Sequence, residues 1–237
     1  MADFDERYTS YQTDRAPLRK LVRKLYLRSA QSLLRGPTLD FGCGVGELLG
    51  RLPEGSMGLE YNGATVAYCR SRGLAVDHYD GFADDWQLRV VPDSVRFESM
   101  VVSHVLEHLE APAEIFGKLA RAARRLGVQR LLVIVPGKAG FRSDPTHLTF
   151  IDNGFLSRPE LLTETGFRLE MSRYFPLDQR WLGDWLTHHE MQTLYVRDIE
   201  GADPARRLSR DVSQGLRARK RPAWSGMTCA AANAGLP

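Results

Sequence analysis

Apolar positions along this chain change period several times, and each change marks an element. Residues 16–35 place Leu18, Leu21, Val22, Leu25, Leu33 and Leu34 at helical spacing, and Gly36-Pro37 ends that helix. Short apolar runs follow. "TLDF" from Thr38, "SMGLEY" from Ser56, "LAVDHYD" from Leu74, "FESMVVSH" from Phe97 and "RLLVIVPG" from Arg130 read as strands. Between them, "GELLGRL", "NGATVAYCRSRG" and "PAEIFGKLARAARRL" read as helices. The stretch 81–95 has a turn signal at Pro92-Asp93 and no clear period.

Beyond Gly137 the rhythm changes. A polar loop, "KAGFRSDPTHLTFIDNG", leads into a predicted helix, "SRPELLTETG", with Ser157 as its cap. "FRLEMSRYF" and "HEMQTLYVRD" read as two late strands around an irregular aromatic segment, "PLDQRWLGDWLTHH". Strands alternating with helices over short connections predict an open α/β sheet covered on both faces. The organisation expected is an N-terminal helical cap over 1–36, a main domain over 37–200 and a basic tail over 201–237.

Composition narrows this picture. No apolar run reaches the roughly 20 residues needed to span a bilayer. The N-terminus is charged and lacks a signal-peptide core, which predicts a cytoplasmic protein. Cys43, Cys69 and Cys229 are far apart, without paired metal spacing and with no disulfide framework. The net charge is +3, but Arg206, Arg207, Arg210, Arg217, Arg219, Lys220 and Arg221 concentrate basic charge in the tail. Such a tail suits nucleic acid, anionic lipid or an acidic partner, or is simply a solvated terminus.

The chemistry starts at "TLDFGCGVGELL". Gly42, Gly44 and Gly46, between a strand end and the next element, permit positive φ and close approach of a ligand to bare backbone. The turn falls at the carboxyl edge of the sheet, where open α/β proteins bind ligands. A helix N-terminus behind it would add amide donors and a partly positive end. The spacing Asp40-x-Gly42-x-Gly44-x-Gly46 departs from the dinucleotide pattern, whose third glycine falls here on Glu47. Glu60, closing the second strand, is placed to accept hydrogen bonds from both hydroxyls of a ribose.

"LDFGCGVGELL", "GLEYN", "VVSHVLEHL" and "LLVIVPG", in this order, resemble the class I S-adenosylmethionine-dependent methyltransferases over roughly residues 37–175. The resemblance implies a Rossmann-like three-layer sandwich on a seven-stranded, mostly parallel sheet whose last strand is antiparallel. It implies S-adenosyl-L-methionine as cofactor. Asp40, Gly42, Cys43, Gly44 and Gly46 would pass under its methionine moiety, with Glu60 and the adjacent Tyr61 at the ribose. Asp80, Gly81 and Phe82 would border the adenine, Ser103 and His104 the methyl group, and Tyr11 would fold over as a lid with Tyr8.

Transfer of a methyl group from a sulfonium needs alignment, exclusion of water and, for a hydroxyl acceptor, removal of a proton. "SDPTHLTF" supplies His147 as a neutral base at cellular pH and Asp144 to orient it. His108 is a further catalytic candidate, or a packed residue under the cofactor loop. His104 and His108, four apart, would share a helical face, and with Glu107 and His147 they make four conceivable metal ligands. Metal-free members of that family also carry "LEH", so no metal is assigned. Trp181 and Trp185 are candidates for an acceptor wall, a core contact or a dimer contact.

The reading that follows is methylation of a small-molecule or saccharide hydroxyl, by a monomer or homodimer. RNA modification through the Arg-rich tail and Trp224, and a non-catalytic cofactor-binding domain, are the alternatives.

Overall fold

The computed structural model describes residues 17–198, with side chains from Arg23 onward. Tyr8, Tyr11, the side chains of Leu18, Leu21 and Val22, Cys229, Trp224 and the basic tail lie outside the described residues. Helix α1 spans Pro17–Gln31. Strands follow at β1 (Thr38–Phe41), β2 (Met57–Glu60), β3 (Val76–His78), β4 (Ser99–Ser103), β5 (Arg130–Pro136), β6 (Phe167–Phe175) and β7 (Glu190–Arg197). They form a seven-stranded sheet of order β3-β2-β1-β4-β5-β7-β6. Pairing is parallel from β3 through β5, and β7 runs antiparallel to both β5 and β6. The α/β sheet with its reversed final strand matches the architecture expected from the sequence.

The central strands are continuous apolar runs because both of their faces are covered. In β4, Met100 and Val102 point into one cluster with Phe116, Leu119 and Ala123 of α3 (Pro112–Arg125). Val101, between them, points the opposite way, against Tyr26, Leu27 and Ala30 of α1. Strand β5 repeats the alternation, with Leu131, Val133 and Val135 on one side and Leu132 and Ile134 on the other. Helix α2 (Gly63–Ser71) starts at Asn62, whose side chain accepts from the amides of Ala64 and Thr65. Val66 and Cys69 of α2 form a smaller cluster with Leu49 and Val76.

Three local predictions need correction. No α-helix follows the glycines: "GELLGRL" makes turns and one short 3-10 segment, Leu49–Arg51. Gly46 is held at φ 72°, and Pro53 drives Leu52 into extended geometry (ψ 157°), so room remains for little more than one turn. Helix α4 (Lys138–Ser143) occupies the start of the segment expected to be loop. Ser157 ends a helix instead of starting one: α5 spans Asn153–Leu156 and is capped by Asp152, and Pro159–Leu162 adds a 3-10 turn.

Candidate active site

The strand order reverses between β1 and β4, and the loops after β1, β2, β4 and β5 meet at that carboxyl edge. The glycine turn leads the group. Gly42, Gly44 and Gly46 all take positive φ, at 71°, 52° and 72°. The amides of Gly42 and Cys43 both donate to the Leu59 carbonyl, at 2.8 and 3.1 Å. The turn is therefore tied to β2 and not to a helix of its own. Cys43 turns its sulfur inward: a side chain added at Gly58 would meet it at 2.7 Å. Only the Cys43 backbone is available on the turn's outer side.

Glu60 does more than the sequence suggested. Its Oε2 accepts from the Gly44 amide at 2.8 Å, and its Oε1 from the Asn62 amide at 2.9 Å. Each carboxylate oxygen keeps a further lone pair for an incoming hydroxyl. Tyr61 is half exposed beside His78, their ring centroids 6.2 Å apart. Asp80 closes a local turn by accepting from the amides of Phe82 and Ala83. Gly81 leaves room for the Trp86 ring, which a Cβ there would meet at 2.5 Å, and Phe82 stays largely exposed.

Asp40 is buried, with Oδ2 unpartnered while the carboxylate accepts the Leu49 amide. Burial raises its pKa to about 7; Arg23 opposes the shift and Glu60 adds to it. The unfolded chain ionises here near 3.8, well before the folded one, so folding loses stability as pH rises from about 4 to about 7. Asp40→Asn removes that linkage. Urea denaturation is expected to show the variant gaining on the native chain between acidic and mildly alkaline pH, by on the order of a few kcal/mol.

Past the turn, Ser103 ends β4 and its hydroxyl shares a 2.8 Å hydrogen bond with Tyr26 of α1. Arg23 lies 4.8 Å over the Tyr26 ring and donates to Glu47 at 2.7 Å. Helix α1 thus flanks the turn. His104 adopts φ 55°, and its ring sits between two carboxylates, Glu107 at 3.0 Å and Glu190 at 3.1 Å. Burial opposes its charge, but Glu190 and Glu107 outweigh that and raise its pKa to about 10, so it is an imidazolium at neutral pH. The expected shared helical face of His104 and His108 is not formed. His104 lies outside the short 3-10 segment Leu106–His108 and faces Glu190 instead.

The loop after β5 folds back over that segment. The amides of Leu148 and Thr149 both donate to the Glu107 carbonyl. This brings His147 to His108, with ring centroids 4.7 Å apart. Asp144 does not orient His147 as expected. Its Oδ1 accepts from the Thr146 amide and hydroxyl at 2.9 and 2.6 Å, and its Oδ2 stays 3.9 Å from His147 Nε2. The orienting group is the Phe141 carbonyl of α4, which accepts from His147 Nδ1 at 2.8 Å, while the Phe141 ring stacks on the imidazole. His108 Nδ1 similarly faces the Thr146 carbonyl and hydroxyl, and burial lowers its pKa, which keeps the ring neutral.

Arg23, Tyr26, Phe141 and Glu190 were missed by sequence reasoning. Glu190 stands 86 positions from His104, and no local pattern links them. Arg23 and Tyr26 belong to a helix whose spacing signalled packing only. Trp181 is exposed on the 3-10 segment Arg180–Asp184, beside α4, and Trp185 is exposed just after it, so they are not core residues.

The fold is similar to that of solved S-adenosylmethionine-dependent methyltransferases. Over 81% of this chain, and the whole of the other, the fold matches the crystal structure of a SAM-dependent methyltransferase from Archaeoglobus fulgidus, with TM-score 0.59 and 19% identity. It also matches magnesium protoporphyrin IX methyltransferase from Synechocystis PCC 6803, solved with bound SAH, with TM-score 0.53, 15% identity and coverage of 78% and 89%. Residues 29–132 match the family described as "Methionine biosynthesis protein MetW". A protein of Mycolicibacterium smegmatis named "Probable S-adenosylmethionine-dependent methyltransferase" is 30% identical over 155 residues, 62% of this chain and 57% of that relative. The chain therefore spans little more than half of that relative's length.

The residues fit the cofactor of this class. The turn offers bare backbone at positive φ, where a Cβ on Gly42 would already crowd Val105 at 2.6 Å. Glu60 adds a carboxylate with spare lone pairs, and Asp40 a buried oxygen without a partner.

Proposed function

We propose that this protein is an S-adenosylmethionine-dependent methyltransferase that methylates a hydroxyl of a small molecule or saccharide. S-adenosylmethionine, when bound, supplies an electrophilic methyl group on a sulfonium. The backbone of Gly42–Gly46 and the carboxylate of Glu60 hold its amino-acid and ribose parts, with Asp80–Phe82 beside the adenine. Ser103, fixed by Tyr26, and His104, fixed by Glu107 and Glu190, line the reacting end. Trp181 and Trp185 offer exposed aromatic faces on which a sugar or flat acceptor can stack.

The observation that carries this reading is the state of His147. Its Nδ1–H is committed to the Phe141 carbonyl, which leaves a lone pair on Nε2 at the edge that carries the glycine turn. As the acceptor oxygen gains the methyl group, its O–H bond breaks and that proton passes to Nε2. General-base assistance of this kind contributes about 10²–10⁴-fold. His147→Ala is therefore expected to lower turnover at least about tenfold while leaving S-adenosylhomocysteine affinity nearly unchanged. Single-turnover kinetics with an acceptor that the enzyme methylates, alongside calorimetry with the thioether, measure the two separately. Unchanged turnover rejects the base role.

A further inference from the structure

We infer that Glu107, His108 and His147 form a binding site for one divalent first-row transition ion. One ligand atom from each residue lies within 4.8 Å of the other two. Two imidazoles and a carboxylate on one side of an ion suit Mn²⁺, Fe²⁺, Co²⁺ or Zn²⁺ and leave positions open for oxygen ligands.

Three further observations point to a cation. Glu107 is fully buried, and its Oε2 has no hydrogen-bond partner. A buried carboxylate oxygen left unpaired is costly, and an ion supplies the missing partner. Its other oxygen, Oε1, is held by His104 at 3.0 Å, which fixes the plane of the carboxylate, and is the one that faces His147 Nε2, at 4.0 Å.

The second observation concerns the imidazoles. His147 Nδ1 donates to the Phe141 carbonyl at 2.8 Å. His108 Nδ1 faces the Thr146 carbonyl at 3.2 Å and the Thr146 hydroxyl at 3.1 Å. That hydroxyl spends its own proton on Asp144 at 2.6 Å, so it accepts from His108. Both rings therefore carry their proton on Nδ1 and keep the lone pair on Nε2. Metal-binding histidines are fixed by the same pattern of outer hydrogen bonds.

The third observation is the site's outer side. Asp144 Oδ2 lies 3.9 Å from His147 Nε2 on a half-exposed side chain, so the cluster is walled on one side and reachable on the other. His104 is not part of the ligand set, because both of its nitrogens are engaged by Glu107 and Glu190.

The ion's use rests on the methyl-transfer reading; its binding does not. An acceptor hydroxyl on the ion becomes far more acidic. The base role of His147 belongs to the ion-free chain: with the ion bound, its Nε2 is a ligand, and Asp144, 3.9 Å from that nitrogen, is the group placed to take the proton. Acceptors with two adjacent hydroxyls, able to chelate, are then favoured.

The test uses the full chain, stripped with a chelator and titrated with Mn²⁺ in the absence of donor and acceptor. Electron paramagnetic resonance counts bound ion, and pulsed measurements detect coupling to imidazole nitrogen. One tightly held ion per chain with nitrogen coupling is expected. Glu107→Gln and His147→Asn should each weaken binding at least about tenfold. S-adenosylhomocysteine affinity, measured on the same samples, reports folding independently. Absence of nitrogen coupling in the native chain, or unchanged Mn²⁺ affinity in both folded variants, overturns the site. Should a variant not fold, the nitrogen coupling of the native chain alone decides. Failure of the thioether to bind would instead sink the methyltransferase reading and leave this result standing.

Discussion

Replacing Glu60 with alanine is expected to weaken S-adenosylhomocysteine binding at least about 100-fold. Two charge-assisted hydrogen bonds to a ribose diol, at about 1.5–3 kcal/mol each, set that scale. The variant also leaves the amides of Gly44 and Asn62 without their acceptor, so the turn itself loosens. Glu60→Gln separates the two contributions. It retains one oxygen and places an amide group opposite a backbone donor, so an intermediate loss is expected. Calorimetry gives the affinities, and a thermal melt without ligand reports the turn. Affinity within threefold of native in the alanine variant would overturn the assignment of Glu60 to the donor.

Gly42→Val is expected to act on the fold itself. The position sits at φ 71°, where a β-branched residue is strained by about 1–3 kcal/mol. The added Cβ also falls 2.6 Å from Val105 Cγ2, and relieving such overpacking costs about 1–3 kcal/mol. Together they amount to about 2–6 kcal/mol. A domain of this size loses about 2–4 °C of Tm per kcal/mol, so a fall centred on about 12 °C follows, with loss of donor binding. Gly63→Ala is the control: nothing lies within 4 Å of a Cβ there, and the residue opens α2. Alanine should be neutral or mildly stabilising at that position. Equal melting temperatures for the two variants would reject the strain argument.

The seven strands were legible because the central ones are buried on both faces, as in "RLLVIVP", which leaves a run that no other element produces at that length. The glycine turn was legible because positive φ at three alternate positions selects glycine, and Glu60 because it ends the neighbouring strand beside that turn. The helix expected after Gly46 failed for a local reason. Apolar spacing at Leu48, Leu49 and Leu52 looks helical, but Pro53 limits its length. The partners of His104 and His147 were not legible. Glu190 comes from the last strand, and the Phe141 carbonyl belongs to backbone, which carries no sequence signature. Asp144 lay near His147 in sequence, yet Thr146 claims it first.

The glycine turn is stitched to its neighbour strand through the Leu59 carbonyl and the Glu60 carboxylate. Its shape is thus inherited from the sheet. On the proposed reading, the turn is therefore built before the donor arrives and adds little ordering cost of its own to binding.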